Sequence, residues 1–206
     1  MHRVVEEIVS ANAWRGGELA RFKVGALGVD EAFWCRLCIP MIYAHWEGFV
    51  VSSLKLLIEH LNSLNLPALE IPTKLVVVGL GDAYKSLSGK QSFGQRVEFT
   101  DKFRGLLSLA VKFKTKVDTR SNLRGDVLSE LCNMYGFDFE RFQDVSSDID
   151  RLVNIRNSIA HGENSVVPTR DNIFRYIEAV TEAMDLLLDE IEKFLATEAF
   201  KIKLAS

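Results

Sequence analysis

Residues 31–62 read EAFWCRLCIPMIYAHWEGFVVSSLKLLIEHLN, and the fold turns on this stretch. Ile39, Tyr43, Trp46, Val50, Leu54, Leu57 and Leu61 recur at steps of three and four, the period of one helix face rather than of a strand. Asp30 and Glu31 supply the negative charge that a helix N-terminus favours. Pro40 lies inside the pattern and predicts a kink or local break, because it has no N–H to donate and crowds the preceding turn. Asn65-Leu66-Pro67 and Ile71-Pro72 mark the turn or linker that follows.

A second long stripe lies near the end of the sequence. Ile173, Ile177, Val180, Met184, Leu187, Leu188, Ile191 and Leu195 share one helix face, with Thr169 or Asp171 placed to cap it. Before it, Ser146-Ser147-Asp148 offers an N-cap to a helix whose apolar positions run from Ile149 to Ala160. Gly162 stands where a left-handed C-cap glycine belongs. Asn122–Met134 reads as a short helix stopped near Gly136, and 99–114 has helical spacing through Phe103, Leu106, Leu107, Ala110 and Val111. Residues 1–27 read as one or two short helices interrupted at Gly16-Gly17. Residues 73–95 admit several readings. Lys74–Gly81 resembles a buried strand entering a glycine turn, with a helix or an irregular segment as the alternatives. Gly79-x-Gly81 lacks the third glycine of the dinucleotide fingerprint, so no nucleotide loop is expected there.

The expected architecture is all-α, an antiparallel helical bundle with additional helices, forming one domain over 1–206. Residues 31–62 and 145–200 supply its core helices, and 63–144 an insertion or accessory helices. With 48% hydrophobic and 26% charged residues, four prolines and thirteen glycines, the composition excludes disordered, collagenous and turn-rich classes. Three cysteines form no secreted disulfide framework and fit a reducing compartment. Cys35-x-x-Cys38 lacks a second ligand pair, so buried thiols are expected, and neither a metal nor a cofactor. The start, Met-His-Arg-Val-Val-Glu-Glu, is acidic where a signal peptide would be basic, and no apolar run approaches the ~20 residues of a membrane span. The cytoplasm is the expected location.

The net charge of −3 is unevenly spread. Residues 96–125 carry eight basic and three acidic side chains, while 126–206 carry eight basic and sixteen acidic. A polyanion binder over the whole surface is excluded. A positive strip containing Lys112, Lys114, Lys116, Arg120 and Arg124 could meet RNA phosphate, or be a solvated face.

The chemistry concentrates in Arg156-Asn157-Ser-Ile-Ala-His161-Gly162-Glu163. On a wheel with Ile149 at zero, the apolar residues of this helix centre on an arc in which Arg156 falls at about 340° and His161 at about 120°. A guanidinium in an apolar seam must be paired, lie at an interface or line a site. Arginine matches phosphate geometry and keeps its charge, and a histidine at a helix end exchanges protons near neutral pH. Together they hold the minimum for cleaving RNA through its own 2′-hydroxyl: a proton-transfer group and a clamp on the developing phosphorane charge. The spacing alone leaves open a plainer reading, a dipole-stabilising histidine and an arginine paired with a core carboxylate such as Glu47.

The same eight residues resemble the signature of the HEPN superfamily, compact helical bundles that include many prokaryotic toxin ribonucleases. Tyr43-Ala-His45-Trp46-Glu47-Gly48-Phe49 is similar to the corresponding segment of bacterial HEPN-like nucleases. The resemblance covers about 31–62 and 145–200. It implies a metal-independent endoribonuclease acting as a homodimer on RNA, in a toxin–antitoxin or phage-defence setting with an antitoxin or defence partner. In that reading Arg156 clamps phosphate, His161 moves the proton and Asn157 orients the cleft. Tyr43, His45, Glu47 and Glu163 support them, with His45 and Glu47 as solvated residues at the stripe's edge the alternative. Glu163 stands where one subgroup has the tyrosine its antitoxin modifies, so that form of silencing is not expected. A non-catalytic HEPN module binding nucleotide, RNA or a protein is the alternative function.

Overall fold

Asp30 opens the long helix as expected: its Oδ1 accepts the N–H of Phe33 at 2.8 Å. The computed structural model describes residues 1–25, 29–81, 92–107, 109–164 and 166–202. Its helices are α1 (Arg3–Val24), α2 (Glu31–Leu64), α3 (Thr73–Leu80), α4 (Phe93–Leu107), α5 (Gly125–Tyr135), α6 (Gln143–Ala160) and α7 (Arg170–Ala196), with 3-10 turns at Ala68–Glu70 and Phe139–Phe142. Among the described residues there is no strand, only an isolated bridge between Pro67 and Ala110. The all-α reading holds.

α2 is the axis of the core. It packs against α1, α6 and α7, and α7 in turn packs on α1 and α6. Trp46, Leu57, Leu152, Val153, Val180 and Ile191 are fully enclosed between these helices. Each large side chain so buried contributes roughly 1.5–3 kcal/mol relative to exposure. That scale explains why α2 runs unbroken through Pro40, where one ladder hydrogen bond is lost. Cys38, Ile39, Ile42 and Tyr43 are all buried beside the proline, and their burial outweighs it. Gly16 and Gly17 likewise fail to interrupt α1. Both are exposed, and Val4, Val5, Ile8 and Leu19 anchor the helix on either side of them.

α7 begins with a reciprocal cap in which the Thr169 hydroxyl accepts from Asn172 N–H and Asn172 returns the bond to Thr169 N–H. α6 starts earlier than the Ser146–Asp148 cap suggested. The 3-10 turn that buries Phe142 leads directly into it at Gln143, and Ser146 turns its hydroxyl back on Phe142 O at 2.7 Å. Lys74–Leu80 takes the helical alternative, within α3, and α4 begins at Phe93; residues 82–91 of that stretch lie outside the described residues.

The helical reading of 99–114 holds only to Leu107. From Ala110 the chain is extended, with Val111 and Phe113 buried while Lys112 and Lys114 are exposed, an alternation of two that overrides the looser helical spacing. Ala68 N–H donates to Leu109 O and Val111 N–H to Leu66 O. The Asn62 amide bonds both N–H and C=O of Phe113, at 2.8 and 2.9 Å. α3 lies so close to this segment that a Cβ on Gly79 would stand 2.1 Å from Val111 Cγ1.

Gly79→Ala is therefore expected to lower stability by ~1–3 kcal/mol, although alanine is the better helix former, because overpacking exceeds the propensity gain. Gly48→Ala meets only the movable end of Arg15 and should be neutral or stabilising. Urea midpoints of the two variants check the opposite signs.

Candidate functional site

The site is assembled by a strap, Thr119 to Gly125, that crosses between α2 and α6. Asp118 Oδ1 accepts the N–H of Arg120 at 2.9 Å, and Arg120 and Ser121 turn the chain with φ of 54° and 49°. On the α2 side, Thr119 Oγ1 donates to Glu47 Oε1 at 2.6 Å and Leu123 N–H to Tyr43 Oη at 2.9 Å. Trp46 Nε1 donates to Leu123 O at 3.3 Å. On the α6 side, Gly125 N–H donates to Asp150 Oδ1 at 2.8 Å, Asn157 Nδ2 to Asn122 Oδ1 at 3.0 Å, and Arg124 to Asn154.

Arg156 is the centre of this arrangement. Its Cζ lies 3.9 Å from the centroid of the Tyr43 ring, Nη2 donates to Ser121 O at 2.8 Å and Nη1 to Asn157 Oδ1 at 2.9 Å. All three partners are neutral. Among the described residues no carboxylate lies within ion-pair distance of it, so the expected alternative of a structural pair with Glu47 is not found. Glu47 instead takes the Thr119 hydroxyl. A half-buried cation held by an aromatic face and two carbonyl-type oxygens retains its full charge for an incoming anion. Burial pushes the Tyr43 phenol up and the nearby Glu47 charge adds to this, while Leu123 N–H and Arg156 oppose it.

His161 is the C-cap of α6 and is exposed. Gly162, with φ of 78°, closes the helix: its N–H reaches Ile159 O at 3.1 Å and Glu163 N–H reaches Ser158 O at 2.9 Å. The His161 side chain makes no hydrogen bond or ion pair with the described residues. Five helical residues separate it from Arg156 by about 7.5 Å along the axis and about 140° around it. One chain thus presents the two on neighbouring surfaces without bringing them into contact. The Glu163 side chain is exposed, while its carbonyl accepts from Arg36 of α2, which also reaches Val166 O at 3.2 Å.

His45 faces elsewhere. It is buried against α1 between Trp14 and Phe22, ring centroids 5.3 and 6.0 Å away, and its Nε2 is 3.2 Å from Glu18 Oε2. It neither joins Arg156 nor sits in solvent at the stripe's edge. The basic strip is likewise divided. Lys112 donates to Asn62 O and Asn65 Oδ1 at the end of α2, Arg120 pairs with Glu130, Lys114 and Lys116 lie by α3 and α5, and only Arg124 touches the α6 side. Cys35, Cys38 and Cys132 are free and buried, and burial pushes Cys132 up to about 12. No group of three or more His, Cys, Asp or Glu suited to a metal occurs among the described residues. Sequence reasoning missed Thr119, Ser121, Asn122 and Leu123. The run Asp118-Thr119-Arg120-Ser121-Asn122 is a turn signal, but nothing local says which helices it binds.

The family model described as RiboL-PSP-HEPN matches residues 10–193. The chain belongs to this family, and its HEPN resemblance is thereby established. No curated protein and no solved structure matches it. Among the described residues no helix is long and apolar enough to cross a membrane.

Tyr43→Phe keeps the ring under Arg156 but leaves the buried Leu123 N–H without an acceptor, and should lower stability by ~1–3 kcal/mol. Tyr43→Leu should cost more, since the cation loses its aromatic face too; denaturant midpoints separate the two. Burial lowers the His45 pKa from its ordinary 6.5, with Arg15 in the same direction and Glu18 against. The unfolded chain then binds more protons than the folded one, so stability falls as pH drops below about 6.5. His60, lowered mainly by burial, adds to the slope. Urea midpoints taken from about pH 7.5 to about pH 5.5 should decline, and His45→Leu should flatten part of the decline.

Proposed function

We propose that this member of the RiboL-PSP-HEPN family is a metal-independent endoribonuclease in which Arg156 holds the scissile phosphate and His161 transfers protons. The observation that carries the reading is the unneutralised guanidinium of Arg156, oriented by Tyr43, Ser121 and Asn157 with no acidic partner among the described residues. In the reaction the 2′-hydroxyl oxygen attacks the adjacent phosphorus as its proton is taken up. The bond to the 5′-oxygen breaks, that oxygen gains a proton, and a 2′,3′-cyclic phosphate and a 5′-hydroxyl end result. Arg156 stabilises the charge gathering on the non-bridging oxygens, worth of order 3 kcal/mol for a well-placed donor. His161, exposed at the end of α6 with no side-chain partner among the described residues, is assigned the proton transfers.

Two proton transfers need two groups, and a homodimer with paired His161 residues supplies them. A suitable face exists on α2. Phe33, Leu37 and Met41, at successive steps of four, are 56%, 49% and 46% exposed, forming an apolar ridge. Arg36, on the same part of α2, is bonded to the loop after His161, so pairing along the ridge draws two sites together. In this reading Asn157 and Glu47 act by positioning, Arg124 meets a neighbouring phosphate, and a toxin or phage-defence role with an antitoxin-like partner is the setting proposed.

The test is cleavage of a mixed RNA by the purified protein in EDTA. His161→Ala and Arg156→Ala, each folded by circular dichroism, should lose activity by ~10²–10⁴-fold. Arg156→Lys should also fall well below wild type, because an ammonium cannot keep the stack and both bonds. Leu37→Glu should sediment as a monomer and lose cleavage. Equal cleavage by wild type and His161→Ala would sink the assignment. RNA binding without cleavage in every preparation would favour the non-catalytic module.

A further inference from the structure

Away from the Arg156 site, α3, α5 and the segment 114–118 enclose a cavity of about 770 Å³. Its walls are mainly aliphatic, formed by Ile58, Val77, Val78, Val117, Leu131 and Met134, with Tyr135 beside them. Val77 lies at its margin and is half exposed, so apolar surface meets water there. A space of this size lined by hydrocarbon and left to water is unfavourable, and such cavities with a few polar groups at one side are the ordinary form of a small-molecule site.

The polar side has a definite sign. Lys74, Lys114 and Lys116 line it together with Asp118 and Glu130. Both acids are already engaged outside the cavity's needs: Asp118 Oδ1 accepts the N–H of Arg120, and Glu130 pairs with the Arg120 guanidinium. Lys74 Nζ has a neutral partner, Asn133 Oδ1 at 2.8 Å, and keeps its charge. Lys116 makes no hydrogen bond or ion pair with the described residues. The cavity thus combines a mainly aliphatic wall with a rim on which three lysines outnumber two carboxylates, one of which, Glu130, is paired with Arg120.

We propose that this cavity binds a small anionic amphiphile, an alkyl chain ending in a carboxylate or a phosphate monoester. The chain occupies the space between α3 and α5, and the anion sits between Lys74 and Lys116. The wall is mostly aliphatic, with Tyr135 its one aromatic side chain, and this favours an alkyl body. The rim selects its charge, because ammonium groups on flexible stems accept either anion as point charges. This site is independent of the reaction proposed for Arg156.

The experiment uses the full chain with dodecanoate, dodecyl phosphate and dodecyltrimethylammonium, each below its micelle-forming concentration, followed by isothermal titration and by the shift in Tm. One or both anions should bind saturably at one per chain and raise Tm, and which of them does so identifies the headgroup. The cation should do neither. Lys74→Glu combined with Lys116→Glu, both exposed positions, should weaken anion binding by about tenfold or more. Val77→Trp, which fills the mouth from a half-exposed position, should abolish it with the unliganded Tm unchanged. The proposal is overturned if neither anion binds saturably to folded protein. It is equally overturned if the cation binds as well as the anions, or if both variants bind like wild type.

Discussion

The strap from Thr119 to Gly125 ties α2 to α6 through hydrogen bonds that no other part of the chain could replace. Its backbone supplies most of the contacts: Ser121 O accepts from Arg156 and Leu123 O from Trp46, while Leu123 N–H donates to Tyr43 and Gly125 N–H to Asp150. Each such bond contributes only about 1 kcal/mol net, yet the buried N–H and C=O of Leu123 would be unsatisfied without Tyr43 and Trp46. Leu123 itself is fully buried, so the strap is pinned by hydrophobic burial as well as by polar bonds. The position of Arg156 follows from this: the helix brings it to the seam, and the strap and Tyr43 fix where it points.

Charge is distributed in keeping with that arrangement. The basic residues of 96–125 do not form one phosphate-binding surface. They separate into a helix end at Lys112, a cavity rim at Lys114 and Lys116, and the strap at Arg120 and Arg124. In α4, which carries Arg96, Lys102 and Arg104, no residue is buried. Contiguity in sequence therefore overstated contiguity in space, because Lys112 turns to the end of α2 while Lys114 and Lys116 lie at the cavity by α3 and α5.

How much of this could be read from the sequence depends on the range of the interaction. α2, α7, the Gly162 cap and the place of Arg156 in an apolar seam are set by periods and caps within one helix, and all were legible. The continuity of α1 through Gly16-Gly17 was not, because what holds it is packing against α2 and α7. The extended run at 109–113 was hidden by an accident of spacing, since Val111 and Phe113 fit both a strand period and the end of a helix stripe. His45 was placed correctly on α2 but assigned to the wrong side. Two residues from Tyr43, it stands about 200° around the helix and meets α1. The strap's partners lie 72 to 80 residues away on α2 and 25 to 35 away on α6, and no local pattern reports such pairings.

The flat seat of Arg156 on Tyr43 has a consequence for how an anion is met. A free arginine side chain on a surface gives up ~2 kcal/mol of rotamer entropy when it is held in one geometry. Here the ring below and the bonds to Ser121 and Asn157 have already removed that freedom during folding. In the proposed reaction an incoming phosphate would meet a guanidinium whose plane is preset, and little of its binding free energy would be spent on ordering the protein. The direction of approach is narrowed as well, since one face is closed by the phenol ring and only the edge and the opposite face remain open to the ligand.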